Sequence, residues 1–143
     1  MRFMLQVRAH PDSEAGNMPS RELVAAMGRF NEEMMKAGIM LAGEGLHPSS
    51  KGARVAFSGG KPTVTEGPFN VNELVSGFWI LQVGSRGEAI DWARRAPFED
   101  GVIEIRQVFE ASDFPADVLP PEEAARERAW RDEQQRKTAP RQD

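Results

Sequence analysis

The side chains best suited to proton-transfer chemistry in this chain are His47, Glu44 and Glu66. His47 follows Glu44 by three residues in a segment rich in glycine and proline, and Glu66 directly precedes a Gly-Pro pair. A histidine near a carboxylate is the minimum for general acid–base catalysis, because imidazole titrates close to neutral pH. We therefore predict that His47 is an acid–base group and that Glu66 and Glu44 are orienting or second carboxylates.

Each of these residues also has a purely structural interpretation. A histidine in a loop is often just a polar surface residue, and a carboxylate at a strand end is often a solvated turn residue or the partner of an arginine. The three side chains would approach each other only if both loops lie at one end of a sheet. His10, which precedes Pro11 at a strand end, has less support than His47.

Residue types and spacing exclude several other kinds of site. The chain has no cysteine, which excludes disulfides, thiolate catalysis and cysteine zinc sites. Ser49 and Ser50 lack the strand–turn–helix context of a nucleophilic serine, and no His, Asp or Glu cluster has metal-ligand spacing. Gly59-Gly60-Lys61 lies between two extended runs, which indicates a hairpin turn and not a phosphate loop. We expect neither a metal nor a cofactor.

Length and charge place the chain among small globular proteins. Its 143 residues suit one domain, and a hydrophobic content of 40% allows burial to offset chain entropy. The net charge of −4, without a basic block, argues against nucleic-acid binding. No apolar run reaches the roughly 18 residues of a membrane helix, and the first residues lack a secretory pattern. We predict a cytoplasmic protein with no membrane partner.

Hydrophobic periodicity predicts alternating strands and helices. Amphipathic patterns mark helices from Ser20 to Ala37 and from Ser85 to about Ala96. The predicted strands are Arg2–Arg8, Ile39–Ala42, Ala53–Ser58, Pro62–Glu66, Gly77–Val83 and Val102–Phe109, with loops over Pro11–Pro19 and Gly43–Ser50. This order predicts the α+β class, as a ferredoxin-like split βαβ fold with an inserted hairpin.

One face of the predicted sheet lacks a helical cover. The run Gly77–Val83 places apolar groups on both of its faces, and such a strand is normally covered twice. We therefore predict a homodimer, in which a second copy packs on this face and encloses Arg2 and Arg106 as anion-binding residues. Enclosed charges are costly unless they are paired or used, so an ion pair of Glu104 with either arginine is an equal alternative.

The composition changes near Ala111. Three prolines precede a run from Glu122 to Lys137 that consists almost entirely of charged residues and alanine, with charge pairs at the i,i+4 spacing of a helix. Trp130 is its one large apolar side chain. We predict a domain over residues 1–110 and a charged, partly helical extension over residues 111–143. The extension is either a solvated helix or an arm that docks Trp130 on a partner.

Several separated motifs resemble the YCII-related family, in its DGPF-motif branch. They are Leu-Ala-Gly-Glu-Gly-Leu-His-Pro at 41–48, Glu-Gly-Pro-Phe at 66–69, Gly-Phe-Trp-Ile at 77–80 and Glu-Ile-Arg at 104–106. The resemblance covers Met1 to about Phe114 and implies a dimeric α/β-barrel of ferredoxin-like subunits. It also implies a small-molecule pocket, and from these motifs we predict Pro68, Phe69 and Trp79 as substrate contacts.

The resemblance leaves two function classes open. Some family members are described with a His–Asp active site, and one relative with chlorinated-aromatic breakdown, which favours an acid–base enzyme acting on a small organic molecule. Others are linked to sigma factors, which favours a non-catalytic binding or regulatory module. Here Glu66 stands where the motif usually has aspartate, and residues 70–73 lack the lysine common in the branch. The missing lysine, together with the charged extension after Phe114, favours the second class slightly.

Overall fold

Four antiparallel strands form one sheet in the computed structural model, which describes residues 1–138. The strands of the chain are β1 Arg2–Arg8, β2 Met40–Gly45, β3 Ala53–Ser58, β4 Lys61–Glu66, β5 Val75–Gln82 and β6 Ile103–Gln107. The sheet order is β2-β5-β1-β6, while β3 and β4 form a separate hairpin. Since β5 lies between β1 and β2, the topology is a split βαβ unit. The predicted α+β, ferredoxin-like fold is confirmed.

Two helices pack on one face of this sheet. The helices of the chain are α1 Pro11–Glu14, α2 Arg21–Lys36, α3 Arg86–Arg94 and α4 Pro121–Thr138. Helix α2 begins as predicted, because the Ser20 hydroxyl accepts the Leu23 N–H at 3.1 Å. It ends at Lys36, two residues before Gly38, which has the positive φ of 71° that glycine adopts just after helix ends. The ends of α2 therefore follow from local sequence.

The core lies between these helices and the sheet. Its buried members are Phe3, Leu5, Phe30, Met34, Trp79, Leu81, Val83 and Ala89. Leu5 lies opposite Trp79 across β1 and β5, so both side chains point to the helical face. Phe30 of α2 meets the Trp79 ring edge-on, with centroids 5.4 Å apart. Burial of each large side chain contributes about 1.5–3 kcal/mol, which makes this contact the anchor of α2.

Trp79 has a specific polar partner in α2. Its indole Nε1 donates a hydrogen bond to Oδ1 of Asn31 at 2.9 Å, although only 4% of Trp79 is exposed. A buried donor without an acceptor is costly, so Asn31 allows the indole to lie in the core. Gly43 of β2 makes room for the same ring, since a Cβ there would lie 2.7 Å from Trp79 Cδ1.

Two predicted loops contain regular structure. The predicted loop Pro11–Pro19 begins with α1, because His10 Nδ1 accepts the Asp12 N–H at 3.3 Å and Pro11 occupies the first turn. Strand β2 continues to Gly45, so the predicted loop Gly43–Ser50 begins too early. Gly43 therefore serves side-chain packing inside a strand and is not part of the loop.

The β3–β4 hairpin has no buried residue. Val55 lies opposite Val64 and Phe57 opposite Pro62, which places four apolar side chains on one face. Phe57 is 77% exposed. The turn is formed by the predicted glycine pair, Gly59 and Gly60, with φ of 58° and 78°.

The chain divides into two compact units, Arg2–Gln107 and a second that starts at Val108 and also includes Met1. Within the second unit, α4 contacts the 3-10 turn Ala111–Asp113, and Glu127 accepts a hydrogen bond from Arg131 at 2.6 Å. Trp130 is 55% exposed. Residues 139–143 of the predicted extension lie outside the described residues. No helix within residues 1–138 has the length and hydropathy needed to span a membrane.

Replacing Asn31 by alanine should destabilise the protein by about 1–3 kcal/mol, because it leaves the indole N–H of Trp79 without its acceptor. Urea denaturation followed by tryptophan fluorescence measures the free energy of unfolding. Glu32→Ala, at the exposed neighbouring position, is the matched control, and Asn31→Asp keeps an oxygen acceptor and should recover most of the loss. Equal stabilities of Asn31→Ala and Glu32→Ala would contradict the structural role of this bond.

Candidate functional site

Three connecting segments meet at one edge of the sheet, which we call the loop edge. Gly77 near the start of β5 lies opposite Val7 near the end of β1 and Gly45 at the end of β2. The Ala9 N–H donates to the Leu74 carbonyl at 3.1 Å, and a further backbone bond of 2.9 Å links residues 46 and 76. The segments after β1, after β2 and before β5 are therefore held together.

Ser49 is the hydrogen-bonding centre of the loop edge. It opens the 3-10 turn Ser49–Lys51, whose preceding residue, Pro48, offers no side-chain cap. Glu14 of α1 provides the acceptor instead: its carboxylate accepts the Ser49 backbone N–H at 2.9 Å and the Ser49 hydroxyl at 2.5 Å. The same hydroxyl accepts the Phe69 N–H at 2.9 Å. One side chain thus joins three segments that are far apart in sequence.

Gly67 lets the Gly-Pro corner approach the same turn. A Cβ at this position would lie 1.8 Å from the Ser49 carbonyl oxygen, a distance that no side chain tolerates. The Gly67 N–H donates to the Gly52 carbonyl at 3.0 Å, and the Gly67–Pro68 peptide bond is cis. The lack of space at this position therefore explains why the motif has a glycine here.

Phe69 is fixed by its ring as well as by its backbone. The guanidinium of Arg54, at the base of β3, lies 4.0 Å from the Phe69 ring centroid. Arg54 also pairs with Glu73 at 3.2 Å. A cation over an aromatic ring contributes about 0.5–1 kcal/mol at an exposed site. These contacts attach the hairpin base to the corner, and Phe69 is half-buried as a result.

His47 lies beside this cluster in a shallow depression. The depression has a volume of about 330 Å³ and is formed by α1, the segment that follows it and the loop after β2. Its lining residues are Glu14, Ala15, Gly16, Met18, His47, Pro48, Ser50 and Lys51. The His47 ring is exposed and forms no hydrogen bond or ion pair with any residue from 1 to 138. Its imidazole is free to act on a bound molecule.

The carboxylates that we predicted as partners of His47 lie outside the lining of this depression. Glu44 is opposite Phe78 in the strand register, which places it on the sheet face opposite the helices. Glu66 is the exposed last residue of β4, next to the corner. Neither forms an ion pair with His47 in the described part of the chain. The carboxylate in the same depression is that of Glu14.

Arg2 and Arg106 lie on the face opposite the helices, as predicted. Arg106 is opposite Met4 in the register and pairs with Glu104 at 3.6 Å, which is the structural alternative considered for these charges. Arg2 is 8% exposed. The pair of Arg106 with Glu104 is largely exposed and contributes little to stability by itself.

The predicted substrate contacts have different surroundings. Pro68 is exposed and Phe69 half-buried at the loop edge, where both are next to the turn that follows His47. Trp79 lies under α2, with its ring in the core and its indole nitrogen bound to Asn31. A molecule bound on the surface does not reach this ring, so we leave Trp79 out of the proposed site.

Sequence reasoning did not identify Glu14, Ser49 or Lys51 as site residues. The contact of Glu14 with Ser49 joins residues 35 apart in sequence and has no local signature. The available signal was the helix start at Pro11, with acidic residues in its first turn. Within residues 1–138, no group of three or more His, Asp or Glu side chains is arranged to hold a metal ion.

Comparison with known proteins identifies a domain family. A family model described as the YCII-related domain matches residues 1–112. No curated protein sequence matches the chain. Among solved structures, the chain is similar to 5-chloro-2-hydroxyhydroquinone dehydrochlorinase (TftG) from Burkholderia phenoliruptrix AC1100, in complex with 2,5-dihydroxybenzoquinone. The identity is 12% and the TM-score 0.40, over 80% of this chain and 100% of that one.

Replacing Gly67 by alanine should destabilise the protein by about 3 kcal/mol, because the new methyl group would overlap the Ser49 carbonyl and force the corner and the turn apart. Gly28→Ala is the control: Gly28 lies inside α2, where an added methyl group would meet only open space. That substitution should stabilise the protein by about 0.5–1 kcal/mol. Chemical denaturation measures both changes, and a Gly67→Ala protein as stable as the parent would contradict the close approach.

Proposed function

This chain belongs to the YCII-related family, and we propose that it is an acid–base enzyme acting on a small organic molecule bound beside His47. The observation that supports this proposal is the exposed, unbonded imidazole of His47 in the same depression as the Glu14 carboxylate and the Lys51 side chain. A free imidazole, a carboxylate and an ammonium group around one depression are the parts of a proton-transfer site. The family prediction is confirmed, whereas the DGPF branch stays a prediction.

In this proposal each group has one role. His47 removes a proton from a carbon or hydroxyl of the bound molecule and becomes imidazolium. The Lys51 ammonium stabilises the negative charge that develops on the deprotonated molecule. In an elimination, the electron pair departs with the leaving group and the imidazolium releases its proton to water. In an isomerisation, the imidazolium returns the proton to another atom of the molecule. Glu14, whose carboxylate is held by Ser49, contributes a negative charge to the wall of the depression. The orienting role of Glu66 and Glu44 stays a prediction.

The size of the depression limits the proposed substrate. Its volume of about 330 Å³ is at the lower end of the roughly 300–1,000 Å³ found for ligand pockets. A molecule of about one aromatic ring fits such a space, and Met18 and Pro48 supply apolar contacts. Lys51 favours a molecule that carries, or develops, a negative charge.

We also propose that the protein is a homodimer, formed through the sheet face opposite the helices. Two rows of side chains cross the four strands on this face. They are Glu104, Gln6, Phe78 and Glu44 in one row and Arg106, Met4, Ile80 and Ala42 in the other. Phe78, Ile80 and Met4 are half-buried and apolar, at the centre of the face. An apolar centre with charged edges is typical of a protein interface.

The alternative function, a non-catalytic binding or regulatory module, is favoured by one feature. Helix α4 lies beyond the residues that the family model matches and exposes Trp130 among charged side chains. Exposed tryptophans are enriched among the residues that dominate binding to partners. In this alternative the His47 depression binds a ligand without converting it.

Proton abstraction can be tested with 5-nitrobenzisoxazole, a carbon-acid probe that opens to a coloured nitrophenolate when a base removes its ring C–H proton. We expect the full chain to accelerate this opening and His47→Gln to lower the rate by at least about tenfold, because a positioned base contributes about 10²–10⁴. Absorbance of the product phenolate measures the rate.

The chain contains its own control for this experiment. His10→Asn removes its only other histidine but keeps a side-chain oxygen that can accept the Asp12 N–H at the start of α1, and it should leave the rate unchanged. Equal rates for the His47→Gln protein and the parent, or a parent rate no higher than that of buffer with free imidazole, would overturn the enzyme proposal in favour of the binding module.

The dimer is tested by sedimentation velocity at micromolar concentration. We expect a species with twice the mass of one chain, and we expect Ile80→Glu to shift it toward the monomer because a charge would enter the apolar centre of the interface. Val24→Glu, at an exposed position of α2, is the control and should stay dimeric. A folded parent protein with the mass of a single chain would rule out the dimer.

A further inference from the structure

The loop that carries His47 is held by hydrogen bonds on both sides of this residue, and the His47 side chain takes no part in them. On one side the Leu46 N–H donates to the Ser76 carbonyl of β5 at 2.9 Å. On the other side Ser49 is bound to Glu14 and to the Phe69 N–H. The imidazole forms no bond of its own within residues 1–138, so the position of His47 depends on these two anchors.

The two anchors differ in what they depend on. The Leu46 anchor is a backbone bond in the continuation of a strand pair, and it is independent of side-chain identity. The Ser49 anchor depends on one hydroxyl that donates to Glu14 and accepts from Phe69 at the same time. Because Pro48 has no capping side chain, the start of the turn relies on Glu14 for its first N–H. A change in Ser49 therefore alters how the backbone is held only two positions from His47.

We propose that Ser49, together with Glu14, is the positioning pair of the His47 site. Ser49 fixes the backbone that carries the imidazole, and it also holds Glu14 in the wall of the depression in which His47 lies. Removal of the hydroxyl breaks the bond between the turn and the Phe69 N–H and frees one oxygen of the Glu14 carboxylate. The inference rests on the proposed function, because Ser49 and Glu14 can position His47 for catalysis only if His47 is a catalytic base.

The test compares Ser49→Ala with Ser58→Ala, an exposed serine at the end of β3 that does not line the depression. With the 5-nitrobenzisoxazole probe, Ser49→Ala should lower kcat about tenfold with little change in KM, because a displacement of about 1 Å can cost up to about 100-fold in rate. Ser58→Ala should stay within about twofold of the parent. Ser49→Thr retains a hydroxyl and should restore most of the rate.

A spectroscopic readout accompanies the kinetics. The ring C–H signals of the two histidines are assigned with His47→Gln in NMR spectra of the full chain. Ser49→Ala should move the His47 ring signals and speed hydrogen exchange of the Phe69 amide, which loses its acceptor, whereas Ser58→Ala should change neither. If Ser49→Ala does not fold, Glu14→Gln, which weakens the same pair from the other side, takes its place in both measurements.

The possible failures are distinguishable. If His47→Gln abolishes the acceleration while Ser49→Ala keeps the parent rate and the parent His47 signals, the positioning inference is wrong and the proposed function stands. If His47→Gln keeps the parent rate, the proposed function fails, and with it the inference built on it. Equal effects of Ser49→Ala and Ser58→Ala on both readouts would also overturn the inference.

Discussion

The loop edge of this protein depends on the contact between Gly67 and the carbonyl of Ser49. The corner approaches the turn so closely that even a methyl group would overlap it. This approach places the Phe69 N–H within 2.9 Å of the Ser49 hydroxyl. That hydroxyl in turn reaches Glu14, so α1, the turn and the corner form one hydrogen-bonded body. A part-buried, satisfied network of this kind holds its members in one arrangement.

The sheet separates the candidate chemistry into two groups. His47, Pro68 and Phe69 belong to the loop edge, whereas Glu44, Arg2 and Arg106 belong to strands whose alternation directs them to the face opposite the helices. Because successive side chains of a strand point to opposite faces, a residue's place in the alternation decides its group. The strand extension of β2 to Gly45 is what assigns Glu44 to the sheet face and away from the depression.

Much of the fold follows from local sequence, and the sites that differ do so for a physical reason. The ends of α2, the glycine pair of the hairpin and the succession of strands and helices along the chain were predicted, because caps, turns and periodicity are properties of short segments. Gly43 is an exception. The sequence pattern placed it in a loop, whereas its role depends on the Trp79 ring of a neighbouring strand. Periodicity shows that a glycine is present but not which distant side chain needs its space.

The candidate site was predictable only in part, for the same reason. His47 is identified by residue type and by its loop context. The carboxylate of its depression comes from Glu14, through a contact that spans 35 positions along the chain. Long-range contacts are set by the fold as a whole and cannot be found from spacing along the chain. Sequence reasoning therefore considered Glu44, which is three residues from His47, and Glu66, which begins the Gly-Pro motif. Trp79 belongs to one of the family motifs, but its side chain packs in the core and does not face the depression.

The exposed hairpin has an evolutionary consequence. Since none of its fourteen positions, 53–66, enters the core, substitutions or insertions beyond its base do not have to preserve core volume or sheet register. The end near Arg54 is tied to the rest, through Phe69 and Glu73. The tip, with its glycine pair, is therefore the part of the domain where sequence and length are freest to diverge between relatives without a change of fold.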